Sequence, residues 1–66
     1  MQKYKIGDVV KLIYPFTMWG NIMVCKGDII DIIQYDFPDG IVFTYIVKFR
    51  IGGQTEVTSS FIMKKL

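Results

Sequence analysis

The chain has 66 residues and a formal charge of +2, from eight Lys and Arg against six Asp and Glu, with 52% apolar and 21% charged residues. That length holds one domain, residues 1–66, near the lower limit at which a core stands without metal or disulfide support. One cysteine, Cys25, and no histidine exclude an internal disulfide and a structural zinc set, so packing or a partner must supply the stability.

The N-terminal MQKYKIGD has charges but no apolar run behind them, and no stretch approaches the roughly 20 apolar residues of a membrane span. Neither a signal peptide nor a membrane partner is expected. The unpaired thiol points to a reducing, cytoplasmic setting. A charge of +2 is compatible with nucleic-acid binding but is not the concentrated basic footprint that identifies it. Neither a low-complexity segment nor an alignable internal repeat is present.

The first element is a strand in IGDVVKLIY, entered through a Gly7–Asp8 turn, with Ile6, Val10, Leu12 and Tyr14 on one parity and Lys11 on the other. Residues Tyr14 to Cys25, containing YPFTMWGNIMV, form a long first loop folded back as a ragged hairpin. Tyr14 and Phe16 suit the end of the fold, and Ile22 and Val24 the hairpin's inner side. KGDIIDIIQY gives a second strand after a Gly27–Asp28 turn. It faces the core with Ile30 and Ile32 or with Ile29 and Ile33; the first is preferred because it keeps Asp31 out of the interior.

DFPDG, Asp36 to Gly40, is a hairpin turn, with Pro38 presetting φ and Asp39–Gly40 closing it. IVFTYIVKFR is the clearest strand, alternating Phe43, Tyr45, Val47 and Phe49 inward with Thr44, Ile46, Lys48 and Arg50 outward. Gly52–Gly53 turns the chain into QTEVT, with Val57 inward and Glu56 and Thr58 outward. SSFIMKKL gives a single tight turn and a last short strand that brings Phe61, Ile62 and Leu66 against the body. Five short strands with turns every eight to twelve residues predict an all-β barrel, or a strongly bent pair of sheets.

This order resembles a five-stranded SH3-like barrel with a long first loop over essentially the whole chain. LIYPF, Leu12 to Phe16, is similar to the ALYDY signature of SH3 domains, KGDII, Lys26 to Ile30, to the motif after their first loop, and SSFI, Ser59 to Ile62, to their S-x-Y-[IV] turn. In SH3 domains a Trp after the hairpin turn builds the proline-binding groove. Here Ile41, Val42 and Phe43 occupy that region, Phe61 replaces a ligand-contacting Tyr, and the first loop lacks the usual acids. The resemblance therefore does not imply PxxP binding in the ordinary mode. KOW and Tudor-like domains share the plan and are similar in Gly-Asp-x-Val, Lys-Gly-Asp-Ile and Tyr-x-Val-x-Phe (Tyr45, Val47, Phe49).

Two kinds of site follow. Phe16, Met18, Trp19 and Met23 are candidates for an exposed apolar surface that binds a larger intracellular protein, because Trp and Met suit interface centres and a loop tip has little of its own domain to pack on. The competing set is basic: Lys48, Arg50, Lys64 and Lys65, joined by Lys3 and Lys5, with Trp19, Tyr35 or Phe37 as stacking platforms for nucleic acid. The plainer account of those lysines is solubility, given Asp28, Asp31, Asp36, Asp39 and Glu56 among them. Burial of the loop or of a strand edge in a homodimer is a third possibility.

Catalysis is not expected, since the Asp pairs sit where turns and strand starts use them, and no His stands ready as a base for Cys25 or Ser59–Ser60. Cys25 reads as a small half-buried apolar residue. No cofactor or metal is expected. The size suits a phage or bacterial accessory protein.

Overall fold

The protein's computed structural model describes residues 3–14 and 22–66. Five strands, β1 (Val9–Ile13), β2 (Val24–Phe37), β3 (Gly40–Phe49), β4 (Gln54–Thr58) and β5 (Ile62–Lys65), form one antiparallel sheet in the order β4-β3-β2-β1-β5. A single 3-10 turn, Ser59–Phe61, leads from β4 into β5. Among the described residues β4 and β5 are the sheet's two edges, so the pairing is open rather than closed.

One face of the sheet carries the core: Val10, Leu12, Ile29, Tyr45, Val47, Phe49, Val57 and Ile62. Each such side chain contributes roughly 1.5–3 kcal/mol on leaving water. The β3 alternation was fully legible, and Tyr45 and Val47 are completely buried. Thr44 lies on the outer parity as expected, yet it is only 9% exposed.

Three inward assignments near the chain ends need correction. Ile6 is 61% exposed, because it lies within the Lys5–Asp8 turn that precedes β1, where strand parity does not hold. In that turn Gly7 has a φ of 96°, and the Asp8 carboxylate accepts the Lys5 amide at 2.9 Å. Phe61 and Leu66 are exposed as well, leaving Ile62 alone to close the core after the 3-10 turn. At β5 the register slips, with Lys11 opposite Lys64 but Leu12 opposite Ile62, so Met63 is an extra residue and the last strand bends.

The second strand resolves in a way neither alternative anticipated. Ile29 is opposite Val47 and Asp31 opposite Ile46, so Ile30 is a bulge residue. The extra residue flips the parity: Ile29 is buried before it, Ile32 packs on the core after it, and Ile30 is 41% exposed. Each proposed pair therefore contained one inward residue. Asp31 stays in solvent, and its carboxylate accepts the Ile32 amide at 2.8 Å.

Gly27–Asp28 is not a turn. Gly27 is buried within β2 between Val10 and Phe49, on the core face. A Cβ there would stand 2.4 Å from the Val47 Cγ1 and 2.8 Å from the Lys48 carbonyl oxygen. Glycine is needed for close approach of β2 and β3.

Candidate functional site

With Gly27 inward, Lys26 must point outward, and this brings together residues far apart in sequence. Lys11 pairs with Lys26 on one side and with Lys64 on the other. Arg50 follows Phe49, the partner of Gly27, and its amide donates to the Lys26 carbonyl at 3.5 Å. Paired residues share a sheet face, so Lys64, Lys11, Lys26 and Arg50 form one row across β5, β1, β2 and the end of β3. The strand spacing makes that row about 15 Å long.

Lys26, Arg50 and Lys64 are exposed, and Lys11 is half-buried between its neighbours. Arg50 meets Asp28 at 3.5 Å, an exposed pair of little energetic weight. Among the described residues Lys11, Lys26 and Lys64 have no ion-pair partner. The next row outward along the strands holds Val9, Asp28, Lys48 and Gln54, and the row on the other side holds Ile13 and Val24.

Of the basic residues singled out from the sequence, Arg50 and Lys64 thus stand in the row and Lys48 beside it. Lys65 does not join them: it is opposite Val10 and its ammonium reaches Asp8 at 3.5 Å. Lys3 lies elsewhere, lining a cavity of about 220 Å³ with Ile41, Val42, Phe43, Tyr45, Thr58 and Ser59. Lys11 and Lys26 are the residues sequence reasoning missed. Their signal was present, since Lys11 alternates with Val10 and Leu12, but reading Gly27 as a turn removed Lys26 from the strand.

Of the aromatic platforms, Tyr35 and Phe37 are not beside the basic residues. Tyr35 and Phe37 are on the outer face, stacked on each other at 6.4 Å, but Tyr35 is opposite Val42 near the β2–β3 turn. That position is nine residues beyond Lys26, about 25–30 Å along the strand. Between them Glu56 organises a separate polar cluster, accepting the Thr44 hydroxyl at 2.5 Å and the Tyr35 hydroxyl at 2.7 Å. This explains the burial of Thr44.

The Thr44 hydrogen bond, then that of Tyr35, holds the Glu56 carboxyl below its ordinary value, while Glu56 raises the Tyr35 phenol. Glu56 therefore stabilises the fold above its unfolded pKa, about 4.5, and that contribution is lost as pH falls through the folded value. The raised phenol contributes below about pH 10 and is lost as pH rises through its folded value. Glu56→Gln is expected to flatten the acid limb in melting curves recorded between pH 3 and 6. An unchanged limb would show that the carboxylate is not linked to folding.

Of the loop residues, Met23 is described and is 54% exposed; Phe16, Met18 and Trp19 lie outside the described residues. Ile22 and Val24, expected on the inner side, are 75% and 46% exposed. The strand begins beyond the edge of the core, so neither parity finds cover. Tyr14 is half-buried, its ring 5.2 Å from Phe49, and its amide donates to the Met23 carbonyl at 2.7 Å. Cys25 is half-buried opposite Leu12, and burial raises its thiol pKa. Among the described residues no group of three His, Cys, Asp or Glu is placed to hold a metal ion, and no helix is long and apolar enough to cross a membrane.

Fold and face together define a small all-β domain with a basic row on its outer sheet face. No protein-family model, no curated protein and no solved structure matches the chain.

Proposed function

We propose that this protein is a non-enzymatic, intracellular binding module that holds nucleic acid on the outer face of its sheet. The observation that carries this reading is the row Lys64, Lys11, Lys26 and Arg50. Like charges directly opposite one another on a sheet destabilise it, and a fold that retains three such neighbours gains from an anionic ligand that neutralises them. The rest of the chain has the opposite sign: from Gly27 to Val47 there are four aspartates and no Lys or Arg. The small net charge therefore conceals a polarised molecule.

The fold that accompanies this reading is an SH3-like barrel of the KOW or Tudor-like kind. Its support is the strand order, the 3-10 turn before β5, and two bulges that bend their strands. The free thiol of Cys25 accords with a cytoplasmic setting.

A second reading, a protein partner engaged through the first loop, draws on three consecutive exposed apolar residues, Ile22, Met23 and Val24, which follow Phe16, Met18 and Trp19 in the sequence. Fluorescence anisotropy with a labelled 20-base-pair duplex at about 50 mM salt separates the two. Saturable binding is expected, weakened about a hundredfold by Lys11→Gln with Lys26→Gln, each lost phosphate contact removing roughly 0.9 from the salt exponent. Trp19→Ala should leave it unchanged. Absence of binding, or loss through Trp19→Ala with the double variant unaffected, contradicts the nucleic-acid reading and favours the loop.

A further inference from the structure

We infer that the basic row takes one phosphate backbone of double-stranded nucleic acid, without reading its sequence and in preference to single strands. This rests on the nucleic-acid reading above and adds the form of the ligand and the mode of contact. Three features of the face lead to it.

The first is the chemistry of the row and its flanks. Lys and Arg side chains meet phosphates, while sequence is read by groups that reach base edges. On one flank stand Ile13 and Val24, aliphatic and unable to hydrogen-bond a base. On the other stand Val9, Asp28, Lys48 and Gln54. Asp28 stands opposite Lys48 and 3.5 Å from Arg50, so that row has no net positive charge and the face offers one line of cations to a backbone.

The second is the position of the rings. Single-strand binders gain about 1–3 kcal/mol for each base stacked on an aromatic side chain. The described aromatic residues whose register places them on this face are Tyr35 and Phe37, at the far end of the β2–β3 hairpin. Glu56 and the aspartates lie on the way to them, so a strand tracking from the row to the rings would cross acidic surface.

The third is the number of charges in the row, four across four neighbouring segments. Each phosphate neutralised releases more condensed counterion from a duplex than from a single strand, with salt exponents of about 0.9 and 0.7 per contact. With four contacts and no described aromatic residue beside the row to stack a base, the duplex exponent is about 3.6 and the single-strand exponent about 2.8. The difference favours the duplex about tenfold near 50 mM salt. The row crosses the strands, so the bound backbone runs across β5, β1, β2 and β3 rather than along any of them.

The test uses the full chain with a mixed-sequence 20-base-pair duplex, a second duplex of unrelated sequence, a 20-nucleotide single strand, and poly-glutamate as an acidic-protein competitor, from about 30 to 200 mM salt. The expected result is near-equal affinity for the two duplexes, about tenfold weaker binding of the single strand, log–log slopes near 3.6 and 2.8, and little competition by poly-glutamate. In Lys11→Gln with Lys26→Gln the duplex slope should fall to about 1.8, with a melting temperature equal to or above wild type because like charges have been removed.

A single strand bound as tightly as the duplex, with binding still dependent on Lys11 and Lys26, overturns the duplex preference and leaves the broader reading intact. Single-strand binding lost in Trp19→Ala overturns it too, by making the loop the stacking platform. A duplex preference for one sequence over the other of more than tenfold overturns the phosphate-only mode. Equal competition by poly-glutamate overturns nucleic acid as the ligand, and binding of no probe at the lowest salt overturns the nucleic-acid reading together with this inference.

Discussion

Gly27→Val is expected to leave little folded protein at 25 °C, and Gly27→Ala to lower stability by about 1–3 kcal/mol. Glycine in a strand interior ordinarily carries an entropic penalty, so alanine would help by roughly 0.5–1 kcal/mol if space allowed. Space does not allow it. The added carbon would meet the Val47 Cγ1 at 2.4 Å and the Lys48 carbonyl oxygen at 2.8 Å, and the second of these is backbone held in the ladder. Relief would require β2 and β3 to separate where Val10, Val47 and Phe49 pack. A single core of this size rarely supplies more than about 3–5 kcal/mol, so the larger valine takes most of it. Urea denaturation followed by circular dichroism measures both variants. An alanine variant as stable as wild type would show that the strands are further apart than described.

Ile29→Ala and Ile30→Ala should differ far more than two adjacent isoleucines in one strand would suggest. Ile29 is 1% exposed and packs within the core, and its truncation is expected to cost about 2–5 kcal/mol. Ile30 is the bulge residue, 41% exposed, and its truncation should stay within about 0.5 kcal/mol. The contrast tests the bulge itself. If the strand ran without one, pairing Ile30 and Ile32 inward, the two effects would be reversed.

How much of this was legible in sequence depends on where alternation held. Phe43 to Arg50 alternates without interruption because β3 is paired on both sides from Thr44 to Lys48, and its inward residues were read directly. The Pro38–Asp39 turn was equally legible, since both residues favour the turn for local reasons. β2 was not, because a bulge changes the period by one residue and hydrophobicity is blind to it in a run of four isoleucines. Asp31, whose carboxylate satisfies the next amide, was the local sign of the irregularity.

The basic row failed to emerge for a related reason. Lys11, Lys26, Arg50 and Lys64 come from four segments, and only cross-strand register reveals that they are neighbours. Reading Gly27 as a turn hid the register where it mattered. Composition pointed away from the row too, since acids elsewhere in the chain bring the net charge to +2. Of the basic residues singled out in the sequence, Arg50 and Lys64 stand in the row, whereas Lys65 lies opposite Val10.

Residue-by-residue mapping of the bound surface decides whether the basic row holds nucleic acid. Amide chemical shifts of the isotope-labelled protein would be followed by NMR as an unlabelled duplex is added at low salt. The largest changes are expected on Lys11, Lys26, Arg50 and Lys64 and their immediate neighbours, with Tyr35, Phe37 and the first loop little affected. Changes concentrated on residues 14–24, or no changes at any duplex concentration, would contradict the nucleic-acid reading.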